Sequence, residues 1–548
     1  MAARSYVAAI LISVFPAAGA SDYVGSEVCA RCHPTEYRSF ARSPMGRSFQ
    51  PIALKSAPEF GVPVQFVHVK TGRRYRIFQK RDEFLIDELF LDAGRRVVYS
   101  DPRAVSYVIG SGNHARSFLV ARGNRLYQAP VTFYPQIPGW DMSPGYDVDT
   151  HVGFTRRVTA DCLFCHAGRV NANRAGDIFE GAHPFAEVAI GCERCHGPGR
   201  EHLAHPGKAI VNPAKLSPGR REQVCEQCHL FGVARVLQPG RAAADFQSGK
   251  ALEDYFAIYN YDVSGPQALK VTGHSEQMKR SRCWQGSQDR LWCGSCHEAH
   301  SKSAAENSAV FYRNKCLACH QTHGCSRKAD VASAASRENN CIECHMPKRP
   351  VVESAHVTFT DHEISRHPQA PAREPGTTKL KPLLRAAPSE AVSARDLGFA
   401  QLQAAAGRSE FLRLAIETLE PVRKTEVADA EFWQDLGSAY LELQQHDKAE
   451  EAFEHALQLD SKSAAAYYSL GYLYQSQKMF AKAIVAYRKA VGYDTGMAEA
   501  WGNLAAAYLA IDKKAEAIKS LEAALGLDPG NLVWRRALET VRAEGSAP

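Results

Sequence analysis

Cys192 and Cys195 stand three residues apart and His196 follows at once, and this C-x-x-C-H spacing occurs seven times in the chain. The other six sets are Cys29, Cys32 and His33; Cys162, Cys165 and His166; Cys225, Cys228 and His229; Cys293, Cys296 and His297; Cys316, Cys319 and His320; and Cys341, Cys344 and His345. Two thiols at this spacing lie on one side of a single turn, where both can form thioethers with the vinyl groups of one porphyrin. The imidazole that follows turns back over the ring and binds iron from the proximal side. A zinc knuckle or a redox dithiol also uses C-x-x-C, but neither has a use for a histidine directly after every pair. The pattern predicts seven covalently bound c-type haems. It absorbs fourteen of the sixteen cysteines and leaves Cys283 and Cys325, either bridged to each other or free.

Each proximal histidine leaves one axial position on its iron, and a second imidazole or a methionine there makes an electron-carrying haem. The candidates are His151, His202, His274, His300, His356 and His362, all within or beside the motif-dense region. His202 follows its own motif through Gly-Pro-Gly, a turn suited to sending the chain toward a neighbouring haem. His300 lies three residues after His297, so its imidazole faces away from its own haem toward another. Met45, in a polar SPMGRSF setting one short helix after the first motif, is a further candidate. His114, His183, His205, His323 and His367 rank below these, and His68 reads as structural on an alternating strand.

The elements that must position these groups fall into blocks. Residues 1–20 combine Arg4, an apolar core from Tyr6 to Phe15 and a small-residue end at Ala18-Gly-Ala20, the pattern of a cleaved export signal. The mature chain is expected to be exported or periplasmic, and no later stretch is long and apolar enough to span a bilayer. The cytochrome part runs over 21–365. Within it, 64–134 switches to β-branched and aromatic runs of period two and reads as an antiparallel sheet insertion. Gly110-Ser-Gly112 reads as a turn, since it lacks the rest of a phosphate loop. The motif-dense remainder lacks sustained periodicity and predicts short helices and loops around porphyrins. Residues 366–390 are proline-rich and read as a linker. From 391 to 548 a 34-residue period appears: Trp433, Leu436, Gly437 and Tyr440 recur as Tyr467, Leu470, Gly471 and Tyr474, then as Trp501, Leu504, Ala505 and Tyr508. This resembles the tetratricopeptide repeat, in register over 430–531, with a degenerate first unit expected at 391–426 and a capping helix at 532–541. The predicted fold is a loop- and short-helix-rich haem domain with a β insertion, followed by an α-helical solenoid.

The formal charge of +7 falls to +6 once Arg4 leaves, and fourteen propionates would bring the holoprotein to about −8. The Lys and Arg excess therefore reads as propionate partners, and nothing in its distribution suggests nucleic acid. The stretches SPMGRSF, GSGNHARSF, SPGYD, CERCHGPGREH, VCEQCHL, CGSCHEAH and CIECHMPK resemble a family of exported multihaem cytochromes fused to tetratricopeptide repeats. The order is also distantly similar to the multihaem nitrite reductases and hydroxylamine oxidoreductases, though the C-x-x-C-K variant of many nitrite reductases is missing. The resemblance implies electron transfer along the haems, with the repeats docking a redox protein. The alternative is an oxidoreductase acting on a small nitrogen or sulfur oxyanion at one five-coordinate haem, for which His114, Tyr107 and Arg116 could line a pocket.

Overall fold

The computed structural model describes residues 22–545 except 93, 151–152, 174–175, 181–183, 263–268, 302–307, 321–339, 367–376, 385–391, 406–407 and 426–428. The period-two runs build two antiparallel sheets rather than one. Val64–Val67, Arg74–Lys80, Glu83–Leu91 and Val97–Ala104 form a meander in sequence order. Tyr107–Ile109, Arg116–Arg122 and Arg125–Tyr134 belong to a six-stranded sheet completed by Phe49–Pro51, Gly139–Met142 and Arg157–Val158. Alternation turns Tyr75, Ile77 and Ile86 of the first sheet onto Val108, Phe118, Val120 and Val131 of the second, giving one shared core. Gly110 has φ of 103°, and a Cβ there would lie 2.4 Å from the Ala115 carbonyl, so Gly110-Ser-Gly112 is a turn into the next strand.

Around the Cys–His motifs the helices are short: Ser26–Cys29, Ala160–Phe164, Cys192–His196, Cys293–Cys296 and Cys341–His345 have four or five residues each. Helices of this length do not persist on their own, so tertiary contacts must hold them. Pro218–His229 and Ser308–Leu317 are longer; the first carries the fourth motif and the second ends within the sixth, just after Cys316. Ala234–Leu237, Phe256–Tyr261 and Leu380–Pro382 pair as a three-stranded sheet, so the proline-rich segment contributes a strand.

The repeats form helix pairs Ala394–Ala405 with Ser409–Leu419, Ala430–Glu442 with His446–Leu459, Ala464–Ser476 with Phe480–Tyr493, and Ala498–Leu509 with Lys514–Leu527, closed by Leu532–Gly545. Gly437 and Gly471 sit where a Cβ would come within 2.7 Å of the Phe453 ring and 2.5 Å of the Tyr487 ring, which is how the paired helices approach so closely. The solenoid touches the cytochrome part at both ends. Ala234, Val236 and Tyr259 share a core with Phe399, Ala400 and Phe411 of the first unit. At the far end Arg125 and Arg157 reach Asp494 at 2.8 and 2.6 Å, Arg122 donates to the Leu527 carbonyl, and Arg73 donates to that of Gly530 at 2.6 Å. Asp494 and Asp528 are one 34-residue period apart, so the repeat itself delivers acidic corners to the arginine-bearing sheet. Among the described residues no helix is long and apolar enough to cross a membrane.

Candidate haem sites

Four of the histidines that end a Cys–His motif each lie near a second imidazole, and all four partners are among the candidates read from sequence. His33 and His202 have ring centroids 6.5 Å apart at 21°, His196 and His300 5.8 Å at 9°, and His297 and His362 6.1 Å at 29°. His229 and His274 are 5.3 Å apart and nearly perpendicular, at 82°. Two metal–imidazole bonds of about 2 Å in line, plus about 1.1 Å from nitrogen to ring centre on each side, require about 6.2 Å. Three pairs lie within half an ångström of that value. The fourth is closer by about 1 Å, and His362 also stands 4.8 Å from His274.

Hydrogen bonds orient several of these rings. Nδ1 of His196 donates to the Val211 carbonyl at 2.7 Å, that of His202 to Lys208 at 3.1 Å, that of His345 to Ser365 at 3.1 Å, and that of His362 to Thr360 at 2.9 Å. A carbonyl can only accept, so each bond places the proton on Nδ1 and leaves Nε2 with a free lone pair, the arrangement a metal-binding imidazole needs. Burial pushes His166, His196, His229, His274, His297 and His362 below the ordinary histidine range, and nearby imidazoles add to this for all but His166. All six are therefore neutral near pH 7, as ligation requires. His166, His229 and His297 nevertheless keep exposed surface. Nδ1 of His274 is buried without a partner, as are guanidinium nitrogens of Arg169, Arg221 and Arg280, cations suited to propionates. No group of three or more His, Cys, Asp or Glu converges on a common metal position among the described residues. The residues present fit haem and do not form a zinc knot.

The cysteines are near neighbours across motifs: Cys29 of Cys192, Cys165 of Cys228, Cys225 of Cys293, and Cys316 of Cys341. Cys195 lies near Cys225, and Cys296 near Cys319. The seven motifs thus join into one path, first–third–fourth–fifth–sixth–seventh, with the second attached at the fourth.

The other candidates go elsewhere. His356 bonds Asp141 through Nε2 at 2.6 Å and lies edge-on to Tyr134, so the nitrogen an iron would need is taken. Met45 opens a single 3-10 turn, half-buried, next to the Phe185–Ala189 strand. His68 is buried between Thr71 and Asp147, a structural role. His205 is exposed at the end of the His202 helix. His114, Tyr107 and Arg116 do not converge: His114 stacks on Phe359 at 4.0 Å, Tyr107 packs with Phe49 and Phe185, and Arg116 pairs with Glu59 at 2.7 Å. Cys283 is a half-buried free thiol. His151, His183, His323, His367, Cys325 and residues 1–20, read above as an export signal, lie outside the described residues. Sequence reasoning missed the carbonyls that anchor the rings. Any residue type can supply a carbonyl, so no side-chain pattern marks them.

Residues 145–197, which include the second and third motifs, match the family described as cytochrome c554 and c-prime. Residues 437–478 match a TPR repeat family, and 474–539 a tetratricopeptide repeat family. No curated protein matches the chain. Among solved structures, the MamA protein is similar at 22% identity over 27% of this chain and 81% of that one, with a TM-score of 0.26. MamA from Desulfovibrio magneticus gives 21% identity over 28% of this chain and 86% of that one, with a TM-score of 0.26. The first TPR domain of Spaghetti, bound to an HSP90 peptide, gives 23% identity over 22% of this chain and 94% of that one, with a TM-score of 0.21. The chain carries a c-type cytochrome domain, for which haem c is the implied cofactor, and C-terminal tetratricopeptide repeats, a protein-interaction fold.

Proposed function

We propose that this protein is an exported multihaem cytochrome that passes electrons among seven covalently attached haems, with its repeats docking a redox protein. The facing imidazole pairs carry this reading, three of them at iron-bridging distance, because two imidazoles on one iron make a carrier site rather than an open one. Haem c, when bound, supplies a one-electron couple. The chain's own residues do the rest. The seven cysteine pairs would tether the porphyrins. His33 with His202, His196 with His300, His297 with His362, and His229 with His274 would hold four irons from both sides. Backbone carbonyls keep the rings aimed, and close contact of motifs keeps the path continuous. Arg169, Arg221 and Arg280 offer buried donors to propionates.

Intact mass of the mature holoprotein tests the haem count. The expected excess over the polypeptide from Ser21 onward is seven haem groups, and six or fewer after complete maturation would refute it. Paramagnetic resonance of the oxidised protein tests the ligation. At least four low-spin ferric haems are expected, and a spectrum dominated by high-spin iron would favour the enzymatic alternative.

A further inference from the structure

Glu193 sits between the two thiol positions of the third motif, is 5% exposed, and spends its carboxylate on backbone donors from two other segments. Oε1 accepts from Val24 N–H at 2.9 Å and from Gly199 N–H at 2.7 Å. Oε2 accepts from Gly25 N–H at 2.8 Å and more weakly from Val24 at 3.2 Å. Val24 and Gly25 lead directly into Ser26–Cys29, the helix that opens the first motif, and His33 follows four residues on as the N-cap of the next helix, Pro34–Phe40. Gly199 leads directly into Arg200–Ala204, the helix that carries His202. Both imidazoles of the first pair therefore hang from one carboxylate.

The surrounding backbone is shaped for this. Gly197 has φ of 74° and Gly25 φ of 84°, conformations that glycine adopts freely and that turn the chain just before each of the two helices. A Cβ on Gly199 would stand 3.0 Å from the Val24 side chain and 3.2 Å from Glu193 Oε1. Glu187 and Ser26 close the joint, with Ser26 N–H donating to Glu187 at 3.0 Å and Cys192 N–H donating to Ser26 Oγ at 2.8 Å. Arg200 N–H reaches the Asp22 carbonyl at 3.1 Å. Both helices are only four or five residues long and lack cores of their own, so a few charge-assisted bonds decide where they sit.

We propose that Glu193 is the positioning residue for the first haem, holding His33 and His202 in opposition by binding the backbone at the start of the helix that opens the first motif and at the start of the helix that carries His202. The inference rests on the reading of His33 and His202 as axial partners. It assigns the third motif a task in building the first site, beyond attaching its own porphyrin.

Holoprotein variants E193Q, E193A and H202A, each checked for full haem content, test this by paramagnetic resonance of the oxidised form. E193Q keeps the size of the side chain but turns one acceptor into a donor facing N–H groups, so it probes the joint without a cavity. The expected result is a high-spin ferric signal from one haem in H202A, a comparable one in E193A and a partial one in E193Q. In the double variant E193A/H202A the signal should not exceed that of H202A alone, because both act at one iron. If H202A stays fully low-spin, the axial pairing is wrong. If H202A turns high-spin while E193Q and E193A stay low-spin, the pairing stands and the role of Glu193 is overturned. A second high-spin haem in the double variant would likewise overturn it, placing Glu193 at a different site.

Discussion

Asp494 offers the sharpest test of how the repeats are held against the cytochrome part. Its two carboxylate oxygens take separate arginines, Arg125 at 2.8 Å and Arg157 at 2.6 Å, with side-chain exposures of 12% for the acid and 15% and 26% for the arginines. Charge-assisted hydrogen bonds contribute about 1.5–3 kcal/mol each when shielded, and the residual exposure argues for the lower half of that range. D494A also leaves two partly buried guanidiniums short of a counter-charge, Arg157 keeping only its longer contact to Asp177 at 3.4 Å. The expected cost of opening this seam is about 3–4 kcal/mol, or about 150- to 900-fold in the opening equilibrium. Native-state hydrogen exchange over residues 495–501 and 157–158 reads that ratio directly, whereas a global melt of a multidomain cofactor protein would not. A change under about threefold would mean that the seam is held by the carbonyl contacts of Arg73 and Arg122 instead, and would refute this estimate. The contact is also pH-dependent. Burial alone would raise the Asp494 carboxyl, but Arg157 and Arg125 overcome it and hold the group below its ordinary value. Its stabilisation is therefore full above the usual carboxylate range and is lost as pH falls through the lowered folded value.

Other outcomes follow from the same geometry. G437A forces a methyl to within 2.7 Å of Phe453 and should destabilise the repeats by about 1–3 kcal/mol. G492A, with nothing within 4 Å, should be neutral or stabilise by up to about 1 kcal/mol through helix propensity. Thermal melting followed by helical circular dichroism separates the two, and equal shifts would refute the packing account. The pair His229 and His274 is near-perpendicular, and such pairs give the large, strongly anisotropic g value that parallel pairs lack. H274A should remove that component from the oxidised spectrum and leave the signals of the near-parallel pairs, and a spectrum unchanged by H274A would refute the assignment.

Residue spacing alone carries the expected attachment chemistry, because thioether formation and proximal ligation would be decided within five consecutive residues. It likewise determined the repeats, since a 34-residue period of small and aromatic positions encodes a helix pair that packs on its sequence neighbours. The β-rich stretch was legible for the same local reason: alternation is a property of the strand. What sequence left open was every relation between distant segments. His300 could be recognised as turned away from its own motif, but only the fold shows that it meets His196. His356 and His362, six residues apart and alike as candidates, part company because Asp141 lies beside one and His297 beside the other. The proline-rich stretch read as a linker, yet Leu380–Pro382 pairs with Tyr259–Tyr261, a partner more than a hundred residues away. The tertiary structure also decided the path among motifs, which visits the third before the second. Imidazole pairing and motif contact need two pieces of chain at one point in space, and no periodicity records that.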